Sequence, residues 1–493
     1  MKHPFFRSLV ICAVLCVLLL AACNTSQPTL APTPTLLPLQ NTLAPTAISP
    51  TPTATAIPPT ATATATGTAT ATRLPTATPT LANTPTPTKT SFPTQTSANG
   101  IPITGMAVPG MASYDRIITE LMAKWNIPGG AVAVVKDGRL VFAHGYGWAD
   151  KQNQIAVQPD SLMRIASVSK PFTAAGILKL AEDGKLNLDA KALALLDNIQ
   201  SPTGVVADKQ FSEVTIRQLM QHSGGWDSSA AFDPMFSSSR IAKALSIPEP
   251  ANSQATIRYM LTQPLQFDPG TKYAYSNFGY DVLGRVIERI SGMSYGDYVK
   301  ANILKPAKIA RMQLAGSLLK DRAKDEVLYY DFPNAQLYPS VFPDGGNVPG
   351  PYGSFYIEAM DSHGGWIASP IDLVRFANSL EGRNQPALLK PETVGQIVMR
   401  PIGQYGQGGS SYYGLGWMVR PTNRDANWWH NGSLPGTSSI LVRADNGMTW
   451  AAIFNSRPQN FDAFNGELDN MLSQALNGVT AISSHDSFSL YDQ

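Results

Sequence analysis

The sequence predicts an α/β fold of the α+β kind, with one antiparallel sheet built from both ends of the globular segment. Two pairs of apolar, strand-like runs are each joined through a dipeptide, Asp137-Gly138 or Asn446-Gly447, that strongly favours a hairpin turn. These pairs and one further run cover residues 131–135, 140–144, 413–419, 438–442 and 448–454. Because residues from about 198 to 399 are mostly helical in pattern, they are expected to form an α lobe beside the sheet.

Helices at both ends of the globular segment are expected to flank this sheet. Near the start, Ile117, Leu121, Met122 and Trp125 have the spacing of an amphipathic helix. Near the end, a second helix is expected around residues 461–476. The second helix would close the unit.

The first 23 residues have the pattern of a bacterial lipoprotein signal peptide. Lys2 and Arg7 give a positive start, and residues 9–20 form an apolar stretch too short to span a bilayer comfortably. The segment ends in Leu-Ala-Ala-Cys23, which resembles a lipoprotein signal box. In such boxes the peptide is cut before the cysteine, so Cys23 is expected to carry acyl chains. The alternative is an ordinary secretory peptide in which Cys23 occurs by chance.

Residues 24–104 are predicted to be a disordered linker, called the stalk below. This Thr/Pro/Ala tract contains no Asp or Glu and only one aromatic residue, so it cannot bury enough surface to offset chain entropy. Thr and Pro favour an extended path, which would hold the globular domain, residues 105–480, away from a membrane. The alternative is a tolerated low-complexity insert. Residues 481–493 are expected to be a C-terminal tail.

Charge and cysteine content exclude several classes of protein. The chain has 37 basic and 35 acidic residues, and loss of Lys2 and Arg7 with the signal peptide leaves 35 of each. A balanced chain offers no basic field for nucleic acid. Cys12 and Cys16 leave with the signal peptide, so the mature chain cannot form an internal disulfide and must be stabilised by its core. Membrane contact is expected only through lipid on Cys23.

The strongest chemical signal is Ser167-Val-Ser-Lys170 at the start of a predicted helix. A serine nucleophile needs a base beside it and donors for the oxyanion. The three-residue spacing puts Lys170 one turn above Ser167, and the helix N-terminus adds unpaired N–H groups. Ser317-Leu-Leu-Lys320 also fits the pattern, but a solvated charged stretch follows it. The structural setting, rather than the motif, therefore selects Ser167.

Two further motifs follow in order along the chain. Tyr275-Ser-Asn277 precedes a predicted helix, and it is the only Tyr-x-Asn in the sequence. His430-Asn-Gly432, followed by Ser433, lies in a strand context before the final hairpin. Each motif alone has a structural explanation, such as a hydrogen-bonded core tyrosine at a helix start. Their order after the serine-lysine pair favours a shared active site.

Together the three motifs resemble the active site of the penicillin-recognising serine hydrolases, which include class C β-lactamases, D-alanyl-D-alanine carboxypeptidases and related esterases. The resemblance covers about residues 111–478 and implies a β-lactamase/transpeptidase-like fold. In that fold an antiparallel sheet, flanked by terminal helices, lies beside an all-α lobe, and the active site is in the seam. Two other His-x-Gly matches, at His222 and His363, resemble segments in which the histidine is structural.

The resemblance also implies roles for residues of the first two motifs. Ser167 is the nucleophile and Tyr275 is the general base, with Lys170 supporting it or sharing one proton with it. Asn277 is expected to bind the amide carbonyl of the acyl substrate. Because a free tyrosine has a pKa near 10, this role requires the pKa of Tyr275 to be lowered by about 3 units.

For the third motif, the resemblance implies an oxyanion hole made by the backbone N–H groups of Ser167 and Ser433. Gly432 permits the close backbone approach. His430 and Gly432 are expected to bind substrate. His430 stands where β-lactamases and many carboxypeptidases carry lysine, and it would bind a substrate carboxylate less dependably.

The predicted function is an exported serine hydrolase in the cell envelope that forms an acyl-enzyme with an ester or amide. A D-Ala-type peptide, a peptidoglycan-derived molecule or a carboxylic ester is favoured over a β-lactam. The alternatives are a class C-like β-lactamase and a catalytically silent wall-binding protein with the same fold. No His, Asp or Glu grouping has metal-ligand spacing, and no phosphate-binding or dinucleotide-binding glycine loop appears. No metal or cofactor is therefore expected.

Overall fold

The computed structural model describes residues 92–383, 385–403 and 409–492. The predicted signal peptide with Cys23, and residues 24–91 of the predicted stalk, lie outside this part of the chain. Within the described ranges, no helix combines the length and the apolar character needed to cross a bilayer.

A large antiparallel sheet is the centre of the domain. Along the sheet the strands follow the order β1-β2-β4-β3-β15-β14-β13-β12-β11, and β5 pairs with β4. The first five strands, in chain order, are β1 Thr94–Thr96, β2 Pro102–Gly105, β3 Gly129–Lys136, β4 Arg139–Asp150 and β5 Ile155–Ala156. The last five are β11 Tyr412–Tyr413, β12 Met418–Pro421, β13 Ala426–Leu434, β14 Thr437–Arg443 and β15 Met448–Phe454. Both ends of the globular segment therefore contribute to one sheet, as predicted.

Alternating side chains explain why the middle strands are buried on both faces. Every residue of β14 and of β15 is buried. Ile440 and Phe454 belong to the core on one side, whereas Leu441 and Ile453 belong to the core on the other. Because successive residues of a strand point to opposite faces, these strands carry two cores and read as continuous apolar runs in the sequence.

Eleven helices lie in the described residues. They are α1 Ala112–Trp125, α2 Ser169–Glu182, α3 Ala192–Leu195, α4 Ile216–Met220, α5 Ser238–Leu245, α6 Ser253–Met260, α7 Asn277–Ser291, α8 Tyr295–Val299, α9 Pro370–Glu381, α10 Pro391–Ile397 and α11 Phe461–Ala475. Helices α1 and α11 share one core with the sheet, which confirms the predicted terminal helices. The remaining helices lie on the other side or form the inserted lobe.

Helix α2 is buried on nearly all sides, and this burial fixes the position of the first motif. The ring of Phe172 on α2 stacks on that of Phe376 on α9, with centroids 3.8 Å apart, and Phe376 in turn stacks on Trp417. A helix that is apolar all round is a core helix rather than a surface one. The N-terminus of α2 is therefore held by packing from the sheet side and the lobe side together.

The inserted lobe is not purely helical. It contains two short strands, β7 Gln313–Leu314 and β10 Trp366–Ala368, and β10 pairs with β7 on one side and with β6 Met163–Arg164 on the other to form a three-stranded sheet. A hairpin of two strands with two residues each, β8 Tyr338–Pro339 and β9 Asn347–Val348, is separate from both sheets. The predicted all-α lobe is thus a mainly helical lobe, because strands of two or three residues leave no periodicity to detect.

The structure also corrects the predicted ends of the domain. The stalk was predicted to extend over residues 24–104, but β1 pairs with β2 and β2 pairs with β4. The C-terminal tail, residues 481–493, includes Phe488 and Tyr491, which pack against the main core. Both segments are short and polar, so only pairing with partners distant in sequence orders them.

The predicted strand 413–419 is interrupted. Between β11 and β12 the chain makes a tight turn in which the N–H of Gly414 donates to the carbonyl of Trp417 (2.8 Å). Gly416 has a φ of +87°, and a Cβ there would lie 2.3 Å from the Cβ of Ala174. The apolar run therefore includes a glycine turn pressed against α2, and not one continuous strand.

Candidate active site

Ser167 lies in a 3-10 turn, Ala166–Val168, that leads directly into α2. The residue before it, Ala166, has a φ of +47°, a left-handed conformation that costs free energy for a residue with a Cβ. The preceding carbonyl, of Ile165, accepts a hydrogen bond from the hydroxyl of Ser439 on β14 (2.7 Å). This strained turn is thus clamped to the sheet, and it presents Ser167 at the helix start.

Lys170 is fully buried one turn further along α2. Its Nζ lies 3.1 Å from Ser167 Oγ, 2.8 Å from Asn277 Oδ1 and 3.0 Å from the backbone carbonyl of His363. Burial lowers the pKa of Lys170 well below its usual value, and the negative charge of Asp233 opposes this shift. The predicted serine-lysine pair is therefore brought together, with the amine desolvated.

Tyr275 and Ser167 line the same cavity, so the second motif reaches the nucleophile. Desolvation raises the pKa of Tyr275 well above its usual value, and its interaction with Ser167 offsets this only in part. The expected lowering of its pKa is therefore wrong. The physical reason is the burial of the phenol. Lys170 Nζ lies over the face of the ring, 4.8 Å from its centroid, and the neutral ring of His222 lies 4.3 Å away at a tilt of 39°.

Asn277 is the first residue of α7, and its side chain lies beside Lys170 at the cavity that contains Ser167. Ser276 caps this helix by accepting from the N–H of Gly279 (3.2 Å). The amide of Asn277 bridges two partners, because its Oδ1 accepts from Lys170 and its Nδ2 donates to Asp233 Oδ2 (2.6 Å). One amide hydrogen remains for a substrate.

Sequence analysis missed Asp233 as a residue of the site. It lies in the loop between α4 and α5 and precedes a short 3-10 helix, Pro234–Phe236. Its only local signal is an Asp-Pro dipeptide, which is typical of a helix start. Because Asp268-Pro269 carries the same signal, the dipeptide alone does not select Asp233.

His430 lies underneath the site and not on its wall. It is 2% exposed, and its Nδ1 is 2.7 Å from the carbonyl of Asn431 while its Nε2 is 2.9 Å from the hydroxyl of Tyr413. A carbonyl only accepts, so Nδ1 carries the hydrogen and Nε2 accepts from Tyr413. Burial and the nearby Lys170 lower the pKa of His430 to about 3. A neutral His430 that does not line the cavity offers no cation to a carboxylate, and its assignment as a substrate-binding residue stays a prediction.

The alternation of β13 explains the position of His430. Its buried residues alternate with half-buried ones, so Asn431 and Ser433 face the cavity instead. Gly432 lies between them, and a Cβ there would be 2.3 Å from both the carbonyl of Ile165 and the hydroxyl of Ser439. Only glycine permits this contact between β13 and the segment before Ser167. The assignment of the Ser433 N–H to an oxyanion hole stays a prediction.

The motifs meet at a cavity of about 300 Å³. Its lining residues are Ser167, Phe236, Tyr275, Asn277, His363, Gly364, Asn431, Ser433, Leu434 and Phe461. Within the described part of the chain, no Asp, Glu, Lys or Arg side chain lines this cavity. Three of the ten lining residues are large and apolar, which favours an uncharged substrate group beside the nucleophile.

The second serine-lysine pattern has a different environment. The hydroxyl of Ser317 is bonded to the carboxylate of Glu358 and accepts from the N–H of Ile357 (3.0 Å), whereas Lys320 is exposed. This serine is therefore a structural link between two loops.

A larger cavity of about 1150 Å³ lies elsewhere, beside α8 and α9. It shares no lining residue with the smaller one and contains no residue of the three motifs. No group of three or more His, Cys, Asp or Glu side chains within the described ranges could hold a metal ion.

The fold and the site define a serine hydrolase of the β-lactamase fold. The chain belongs to the Beta-lactamase family, whose model matches residues 114–472. Among curated relatives, penicillin-binding protein 4* of Bacillus subtilis is 27% identical over 319 residues, which cover 64% of this chain and 65% of that protein. Protein flp of Staphylococcus aureus strain N315 is 24% identical over 329 residues, or 66% of this chain and 59% of the relative. The matches thus span less than two thirds of these relatives.

Solved structures share the fold. The D-amino acid amidase of Ochrobactrum anthropi SV3, complexed with L-phenylalanine amide, is 21% identical with a TM-score of 0.57, over 75% of this chain and 99% of the amidase. The octameric penicillin-binding protein homologue of Pyrococcus abyssi is 23% identical with a TM-score of 0.56, over 76% of this chain and 77% of the homologue. At this identity the likeness shows the architecture alone.

The neutral state of His430 can be measured directly. In ¹³C-histidine-labelled protein, we expect the ring signals of His430 to stay unchanged from about pH 8 to about pH 5, because its folded pKa lies near 3. The chain has six histidines, so loss of one signal in His430→Gln assigns the resonance. A midpoint near pH 6 for this signal would contradict the neutral assignment.

Proposed function

We propose that the protein hydrolyses an ester or amide through a covalent acyl-enzyme on Ser167. The observation that carries the proposal is the buried Lys170 amine 3.1 Å from Ser167 Oγ. Attack by Ser167 Oγ on the substrate carbonyl forms the acyl-enzyme and releases the alcohol or amine, and water then releases the acid. The alternative of a catalytically silent protein is disfavoured, because a desolvated amine against a serine is costly to maintain without a use.

Lys170 is the proposed base. Two of its three polar neighbours, Asn277 Oδ1 and the His363 carbonyl, can only accept hydrogen bonds. A neutral amine gives them its two hydrogens and keeps its lone pair for the third direction, toward Ser167. Since burial favours this neutral form, Lys170 is poised to take the proton of Ser167.

Tyr275 takes a different role from the predicted one. Its phenol keeps its proton because burial raises its pKa, so it is a proton donor and not a base in the resting site. Its position beside Ser167 in the cavity places this proton near the leaving group of an acylating substrate. Lys170 keeps the proton that it took from Ser167 until the leaving group has departed and then gives it to Tyr275, so the pair acts as one unit.

The preferred substrate has an uncharged group next to the scissile bond. The cavity offers polar contacts from Asn277 and Asn431 and apolar ones from Phe236, Leu434 and Phe461. A carboxylic ester, or an amide or peptide containing a D-amino acid, fits these contacts. The fold shared with a D-amino acid amidase supports the amide class. A β-lactam or a peptide ending in a carboxylate is less favoured, because a neutral His430 supplies no cation.

We also propose export and attachment through a lipid on Cys23. The support comes from the signal pattern of residues 1–23 and the stalk that follows. The domain would then work on the extracytoplasmic side of a bacterial membrane, within reach of the cell envelope.

The nucleophile is tested by labelling the pure domain with a fluorophosphonate. Ser167→Ala is expected to abolish labelling and ester hydrolysis, because Ser167 carries the only hydroxyl that is hydrogen-bonded to the Lys170 amine among the described residues. The matched control Ser317→Ala changes a serine with the same motif spacing, and its activity is expected to change by less than about tenfold. Labelled peptide at Ser317, or at neither serine, would refute the assignment.

The roles of Lys170 and Tyr275 are separated by varying the leaving group. Lys170→Met is expected to slow both a p-nitrophenyl ester and an amide by roughly 10²–10⁴-fold, since both need the base. Tyr275→Phe is expected to slow the amide by that factor and the activated ester far less, because p-nitrophenolate leaves without a proton. Single-turnover rates and thermal melts are the measurements. Equal losses for both substrates in a stable Tyr275→Phe enzyme would make Tyr275 a base instead.

The lipid anchor is tested in the host membrane. Cys23→Ala is expected to abolish labelling by a radioactive or clickable fatty acid and to release the protein or leave an uncleaved precursor. Cys12→Ala, within the same signal segment, is the matched control and should remain acylated. A cleaved, membrane-bound Cys23→Ala protein would disprove the anchor.

A further inference from the structure

Asp233 is held in place by its own loop. Its Oδ1 accepts from the backbone N–H of Met235 (3.0 Å), which caps the short helix Pro234–Phe236. The proline at the first position of that helix fixes the backbone there. One carboxylate oxygen is thus occupied locally, and the other is directed at the active site.

The second oxygen fixes the orientation of the Asn277 amide. The distance of 2.6 Å between Asp233 Oδ2 and Asn277 Nδ2 is short, as in hydrogen bonds to an ionised group. A carboxylate only accepts, so the amide nitrogen must face Asp233 and the amide oxygen must face Lys170. The opposite orientation would put two acceptors together on one side and two donors on the other.

We propose that Asp233 is a positioning residue of this active site, which acts through Asn277 to orient the Lys170 amine and to set the pH range of hydrolysis. The inference rests on the serine-hydrolase function proposed above, and it extends that function to a residue outside the three motifs. Asp233 does not line the cavity that contains Ser167, so it does not touch the reacting atoms.

The electrostatic setting makes Asp233 effective. Three histidines from three different segments face Lys170, and burial lowers the pKa of each, so they are neutral; they are His222, His363 and His430. Two tyrosines, Tyr275 and Tyr280, contact the amine through their rings, and burial raises the pKa of both, so they are neutral too. Among these described neighbours of Lys170, Asp233 is the acidic one. Burial raises the pKa of its carboxyl, and the hydrogen bonds from Asn277 and Met235 and the nearby Lys170 oppose that rise.

The sign of the effect follows from this arrangement. Burial lowers the pKa of Lys170, and the negative charge of Asp233 raises it again. Hydrolysis requires the neutral amine, so it declines as the pH falls through the pKa of Lys170. Removal of the charge at position 233 lowers that pKa further, and the acidic limb of the pH profile must move to lower pH. A purely structural aspartate would reduce the rate equally at every pH.

The experiment compares pH profiles of kcat/KM for a p-nitrophenyl ester. Asp233→Asn and Asp233→Ser remove the charge but retain good helix-capping side chains, so the loop is expected to fold. Both should move the acidic limb down by roughly one pH unit. Asp233→Glu keeps the charge but displaces the oxygen, so its limb should stay while its plateau rate falls.

The matched control is Asp227→Asn, the same substitution in the same loop. Asp227 pairs with Lys272 (2.6 Å) at the surface, and its variant should keep the wild-type limb and plateau. Rates are taken well below the lowest melting temperature, so that a less stable variant is still assayed folded. The inference would be overturned if the acidic limb of the pH profile stayed at its wild-type position in both Asp233→Asn and Asp233→Ser. It would also be overturned if that limb shifted in Asp233→Glu. Failure of the wild type to label at Ser167 would instead overturn the proposed function.

Discussion

The desolvation of one amine is the constraint on which the rest of the structure depends. Lys170 is fully buried, and an ammonium in that position is far less stable than in water. The domain resolves this cost by giving the amine three polar contacts and one nearby carboxylate, that of Asp233. Packing of α2 against α9 and the sheet keeps the amine from reaching solvent. The same burial that stabilises the core therefore prepares a base for Ser167.

Polar groups around the amine are arranged to be uncharged. His430 receives a hydrogen bond from Tyr413 and donates one to a carbonyl, so both of its nitrogens are used without protonation. His222 accepts from the N–H of Ser276, and its ring lies against that of Tyr275 at a tilt of 39°. These neutral histidines orient the phenol of Tyr275 and the amine of Lys170 through hydrogen bonds and ring contacts. The electrostatic interaction at the site is then mainly the one between Lys170 and Asp233.

Local sequence patterns predicted the features that depend on residues close together in the chain. Asp137-Gly138 and the apolar runs gave the strands, and the three-residue spacing put Lys170 beside Ser167. The face of β13 that His430 occupies could not be predicted, because the register with β14 decides it. The pKa of Tyr275 depends on rings from three separate segments, and the role of Asp233 depends on a contact with Asn277, 44 residues away. Such properties arise only from the assembled fold.

The position of β1 and β2 has a mechanical consequence. The chain enters the domain at this edge of the sheet, and β4, β3, β15 and β14 lie between β2 and β13. A pull on the N-terminal side is borne first by the backbone hydrogen bonds of the edge hairpin. Because those bonds are few, the hairpin would separate from the rest of the sheet before the load reaches the turn at Ser167. With the lipid anchor proposed for Cys23, a pull along the chain would therefore act on the edge hairpin before it acts on the active site.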